Sequence, residues 1–344
     1  MPGTGERAYA YAKACGIIGK SFVSKRVAAL GNVSRLSELD RLVFPNSSRD
    51  LPEKELLVDL EIRINKRAVD SIKSVVDSFR NPPEFLVLLV RSWEYQDLKN
   101  ALTALESKDP VKPVFSDLGR FGTINFSAWP ELPDMLRNTD YEFILKLMED
   151  KSRDELSKNS GISLQTELDC HYYNSLWKAL RLLKQSDRKV SEKILSEEIS
   201  LRNIVWALRL RTYYRMEPAE TRSHLIDINT VLRGKPVSLA ADAISSLELP
   251  LDSHQAWAAW KRLEFLNPET PEWKADPRYF QNAAAQYLYR MARHSFRSRP
   301  SSLDTLFCFI KIKQFEEDVL TSSTEGLGMG MVSRDVFSMM GIES

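Results

Sequence analysis

One thiol lies directly beside an imidazole in this chain, at Cys170-His171. Nucleophilic catalysis needs a thiol and a base that touch, yet successive helix positions point about 100° apart and do not face each other. His224, His254 and His294 read as surface or capping histidines and not as members of a metal-binding helix. The run Gly326-Leu327-Gly328-Met329-Gly330 borders on a dinucleotide-binding loop, but no strand precedes it and no Lys-Ser pair follows it. It reads instead as a flexible turn between a long helix and a short terminal one, Ser333 to Met340. The acids Glu316-Glu317-Asp318 occupy consecutive helix positions, which spread around the axis, so a solvated face is expected.

Basic residues offer the strongest chemical rival. Arg202 and Arg209 share a helix face at i, i+7, Arg211 and Arg215 share another at i, i+4, and Trp206, Tyr213 and Tyr214 are interleaved. A second cluster holds Arg290, Arg293, His294, Arg297 and Arg299. Such a mixture can grip phosphates and stack bases. However, Glu197 and Glu198 stand just before the first cluster and no nucleic-acid recognition motif is present, so direct nucleic-acid binding is not expected. Neither a catalytic residue, nor a metal site, nor a cofactor follows from these residues.

Composition narrows the remaining classes. With 344 residues, 43% of them hydrophobic and 28% charged, the chain can bury a sizeable core. Its formal net charge is +1, so attraction to nucleic acid or anionic lipid is not encoded in the total and would need a local patch. Cys15, Cys170 and Cys308 show no C-x-x-C spacing, which points to a reducing compartment without a zinc ribbon or disulfide frame. The longest apolar run, Phe85 to Val90, is far below the roughly 20 residues that cross hydrocarbon, and the Met-Pro-Gly start does not read as a secretory leader. A cytoplasmic protein with no direct membrane insertion is expected.

Helical periodicity dominates the elements that must position these side chains. Leu98, Ala101, Leu102 and Leu105 recur at i, i+3, i+4, i+7, and so do Leu201, Ile204, Val205 and Leu208. Thr123-Ile124-Asn125-Phe126 is the one short strand candidate. Helix breaks are expected at Pro45 to Pro52, Asn81-Pro82-Pro83, Asp109 to Pro133, Met216-Glu217-Pro218, Asn267 to Pro277 and Arg299 to Ser302, where serine can cap the next helix. Stretches around Trp93 to Leu102, Ile199 to Leu208 and Gln314 to Leu320 align when Asp97, Asn203 and Asp318 are superposed, which also aligns Leu98, Ile204 and Val319. Each such helix follows another helix. The expected architecture is therefore all-α with three helical repeat lobes, 1–108, 109–217 and 218–344.

The segment Glu167-Leu168-Asp169-Cys170-His171-Tyr172-Tyr173, followed by Ile199-Ser200-Leu201-Arg202-Asn203-Ile204 and the basic tail Leu208 to Arg211, resembles the connecting subunit of V-type and A-type rotary ATPases. Members of that family carry the letter C in the bacterial and archaeal enzymes and the letter d in the eukaryotic ones. Tyr9-Ala10-Tyr11-Ala12 and the Phe309 to Val319 helix extend the likeness towards both ends; Asp318 departs from it, standing where the family commonly has asparagine. The resemblance implies a funnel of three lobes around a pseudo-threefold axis. It implies a non-catalytic part without cofactors, whose partners are the central-stalk subunits and the membrane rotor ring, on the cytoplasmic face. Arg202 and Arg209 are candidate partner contacts within it. A free-standing helical-repeat adaptor for a peptide or RNA is the alternative.

Overall fold

The computed structural model describes residues 3–107, 111–152, 160–232, 234–300 and 302–342. Helix α1 (Thr4–Ile18) leads through a 3-10 segment, Ser24–Asn32, into α2 (Leu36–Val43). Proline then punctuates the chain as its chemistry requires. Pro52 stands at the N-cap of α3 (Glu53–Val76), and Pro83 at that of α4 (Glu84–Val90), which is followed by α5 (Ser92–Ser107). Beyond a proline-rich stretch come α6 (Leu132–Leu136), α7 (Phe143–Ser152), α8 (Ser160–Arg181) and α9 (Gln185–Tyr213). Pro218 occupies the first turn of α10 (Pro218–Ser223), where its missing N–H costs nothing.

The only sheet among the described residues is a hairpin of β1 (Asn229–Leu232) and β2 (Lys235–Ser238), antiparallel, with Asn229 opposite Ser238 and Gly234 at φ 77° in the turn. Helix α11 (Ala241–Ile244) follows, then α12 (Pro277–Ser295), α13 (Leu303–Gly328) and α14 (Ser333–Met340). The strand expected at Thr123 to Phe126 does not form. Both N–H groups of Thr123 and Ile124 go to the Glu94 carboxylate, so no ladder is available to them, and Phe126–Ala128 is a 3-10 turn.

Helix α13 is the hub. It is apolar on most sides, with Phe307, Phe309, Ile310, Ile312 and Val319 all buried, and it packs against α1, α3, α9 and α12. Phe307 stacks on Phe85 of α4 and Phe315 on Tyr289 of α12. Ser302 caps its start by accepting from the Asp304 N–H at 3.2 Å. The large core built around it collects side chains from Ala10 to Phe337. A second, smaller core lies where the C-terminal half of α9 meets α12 and the 239–275 segment, filled by Trp257, Trp260, Phe265, Trp273 and Phe280.

The glycine run near the end is no flexible turn. Gly326 and Gly328 lie inside α13, and a Cβ on them would stand 2.3 Å from Val336 Cγ2 and 2.1 Å from Leu57 Cδ1. Glycine is needed there so that α14 and α3 can approach. Only Gly330, at φ 78°, makes the turn itself.

Candidate functional site

The three helices α5, α9 and α13 carry the aligned stretches, and each follows a partner helix, α4, α8 and α12. Leu98, Ile204 and Val319 are all completely buried. Asp97 and Asn203 perform one task in two places. Asp97 accepts from the Ser116 N–H at 2.6 Å, and the Asn203 amide accepts from the Ile226 N–H at 2.8 Å while donating to the Ile226 and Leu239 carbonyls. Each pins the chain segment that follows its own helix. Asn203 thereby clamps both ends of the hairpin onto α9. Asp318 does otherwise: its side chain is exposed, and no hydrogen bond to it is formed among the described residues.

One step earlier in the alignment, Gln96, Arg202 and Glu317 all line the same hollow. It comprises two adjoining cavities of about 440 and 400 Å³ that share Gln96, Tyr173, Glu198 and Arg202. Arg209 lies in the wall of the second, its guanidinium 2.5 Å from Gln281 Oε1. The residues Arg202 and Arg209, seven apart on α9, are thus brought together on one inward surface.

The wall is an ordered array of charges. Asp169 Oδ1 is met by Lys99 Nζ at 2.9 Å, by Arg202 Nη2 at 2.8 Å and by the Tyr95 hydroxyl. Burial alone would push the Asp169 carboxyl up, but Arg202 and Lys99 outweigh it and hold the group below the usual carboxylate range. Arg202 also lies over the Tyr173 ring at 5.3 Å. Lys311 pairs with Glu198 at 2.7 Å.

Two acids on α13 enter no ion pair among the described residues, although Lys311 and Lys313 are near enough to temper them. Glu317 accepts from Asn65 Nδ2 at 3.0 Å and from Trp93 Nε1 at 3.2 Å, both neutral donors, and burial pushes its carboxyl up to about 8. Asp318 reaches solvent inside the hollow yet is surrounded by protein, and that desolvation raises it to about 6. The third acid, Glu316, points the other way into the core, bonded to Lys313, Arg67 and the Phe22 N–H. The solvated face expected at 316–318 is therefore split, because a helix that is buried nearly all round has only one wet stripe. Trp206 lines the second cavity, and its Nε1 donor is buried without a hydrogen-bond partner among the described residues.

The remaining candidates are occupied structurally. Burial pushes the Cys170 thiol up to about 11, the reverse of an activated nucleophile, and His171 packs on Phe143 and Tyr141. Arg211 donates to the Ser246 and Leu249 carbonyls. Among the described residues no three His, Cys, Asp or Glu side chains are grouped as a metal site would need, and no helix is long and apolar enough to cross a membrane. The Asp169 cage and the unpaired Glu317 do not stand out in the sequence as site features. The only signal for them is the placement of polar residues on otherwise apolar helices.

Known proteins give the same direction. The chain is 23% identical over 325 residues to an uncharacterized protein of Treponema pallidum, covering 94% of this chain and 92% of that one. It is also 23% identical over 226 residues to the C subunit of the A-type ATP synthase of Methanosarcina mazei, covering 65% of this chain and 60% of that protein. The family model described as ATP synthase (C/AC39) subunit matches residues 48–332. A match of that extent, on an all-helical chain whose buried positions repeat along α5, α9 and α13, makes this protein a member of the ATP synthase (C/AC39) subunit family.

Proposed function

We propose that this chain is a non-catalytic connecting subunit of a V/A-type rotary ATPase, a collar that couples the central stalk to the membrane rotor ring on the cytoplasmic face. The reading rests on the polar hollow into which Gln96, Arg202 and Glu317 all project from aligned positions. Three lobes, 1–108, 109–217 and 218–344, would present such positions around a pseudo-threefold axis; the common burial of Leu98, Ile204 and Val319 supports that arrangement. An inserted stalk foot would meet charges already fixed in place by the Asp169 and Glu198 ion pairs. Walls built of long packed helices suit a part that transmits torque.

The test is reconstitution with a purified stalk and ring. The wild-type chain should bind both, whereas Arg202→Glu and Asp318→Lys should weaken stalk binding at least about tenfold and leave ring binding in place. Stalk binding unchanged in both variants would remove the hollow from the function. Failure of the wild type to bind either partner would refute the collar itself.

A further inference from the structure

The Arg290 to Arg299 cluster, at the end of α12 and just beyond it, takes no part in the hollow. Two of its members, Arg293 and Arg297, instead border a separate cleft of about 340 Å³, and Lys25 and Arg26 border it from the segment after α1. No acidic residue lines this cleft. Among the described residues none of the four enters an ion pair, and all four side chains are exposed.

Helix polarity accounts for part of this. A cation near the C-terminus of α12 is favoured by the helix dipole, which explains Arg293. It does not explain why a second segment, distant in sequence, brings two more cations to the same cleft. That segment is held in a costly shape to do so. Ser24 sits in the left-handed region at φ 57°, secured by its N–H to the Tyr289 hydroxyl at 3.1 Å. Arg26 is further steadied over the Phe22 ring, 5.1 Å from its centroid. Four like charges around one concavity repel one another, weakly because all four are exposed to solvent, and an anion between them would turn that repulsion into attraction. Ile18, Val23 and Phe296 also line the cleft, giving it an apolar portion beside the four cations.

We infer that the cleft between Lys25-Arg26 and Arg293-Arg297 is a binding site for a phosphate-bearing anion. Arginine donates in a planar fork that matches phosphate oxygens, and lysine adds a point charge. The Ser24 hydroxyl, 3.5 Å from the Tyr289 hydroxyl, is a further donor at the rim. The phosphate can belong to a soluble molecule or to a lipid headgroup, since both present the same oxygens. The inference is independent of the collar reading, because none of its residues lines the hollow.

Pyrophosphate titrated into the whole chain by calorimetry probes the soluble source. Sedimentation with phosphatidylcholine vesicles, with and without phosphatidylglycerol, probes the headgroup. Arg293→Ala with Arg297→Ala removes two donors that make no hydrogen bond within the described chain, so the thermal midpoint should stay in place. Lys54→Ala with Arg334→Ala removes equal charge elsewhere on the exposed surface. The expected result is binding of pyrophosphate or of the anionic vesicles that the first pair weakens at least about tenfold and the second pair leaves alone. Which probe binds identifies the source. Binding of neither probe, or equal loss in both variants, overturns the site.

Discussion

Asp169 and Glu317 show how differently two carboxylates can sit in one hollow. Asp169 is surrounded by Lys99, Arg202 and Tyr95, and the Lys99 side chain is only 7% exposed. Asp169→Ala should therefore cost about 3–5 kcal/mol in urea unfolding, because it strands a buried cation, and adding Lys99→Met should recover part of the loss. Glu317 behaves oppositely. Its carboxyl is raised from 4.5 to about 8, so the folded state binds the proton more tightly than the unfolded state does. The stability this provides is complete below pH 4.5 and is lost as pH rises through about 8. Glu317→Gln keeps an acceptor for Trp93 and Asn65 and should raise stability by about 1 kcal/mol or more above pH 8, with little effect near pH 4. An unchanged difference between the two pH values would show that the group titrates normally.

Element positions are legible in the sequence wherever a local residue decides them. Pro52, Pro83, Pro218 and Ser302 fix helix starts by their own backbone chemistry, and each is visible as a break. The helical spacing likewise places Ile204 on a packed face, where it is completely buried. Ile204→Ala should cost roughly 2–5 kcal/mol, against little for the Leu182→Ala change on the exposed surface. What sequence does not supply are features that depend on distant partners. The hairpin at 229–238 forms because Asn203 holds its base, and the inward face of α9 is set by packing against α12 and α13. Gly326 reads as part of a flexible turn for the same reason, since its need for closeness comes from Val336 on another helix. Gly326→Ala should destabilise by about 1–3 kcal/mol, and Val336→Ala in the same chain should relieve some of it. Equal losses with and without the second change would show that the two helices do not meet there.

For the whole molecule, the large core and the hollow share one pillar. Helix α13 supplies apolar sides to α1, α3, α9 and α12 and also the acidic wall with Glu317 and Asp318. Anything that shifts α13 must therefore alter packing and the inner surface together. Its buried carboxylate Glu316 receives the Phe22 N–H at 2.7 Å from a point 294 residues earlier. During synthesis, that pillar leaves the ribosome only after α1, α3, α9 and α12, the helices it packs against. Until it arrives, the apolar faces of α1, α3, α9 and α12 that pack against it lack that partner. A chain released after residue 300 should accordingly be helical by circular dichroism yet proteolysed rapidly and aggregation-prone, and a separate 302–344 peptide supplied in trans should restore protection. The order of the chain thus places the element that closes the core after every element it closes upon.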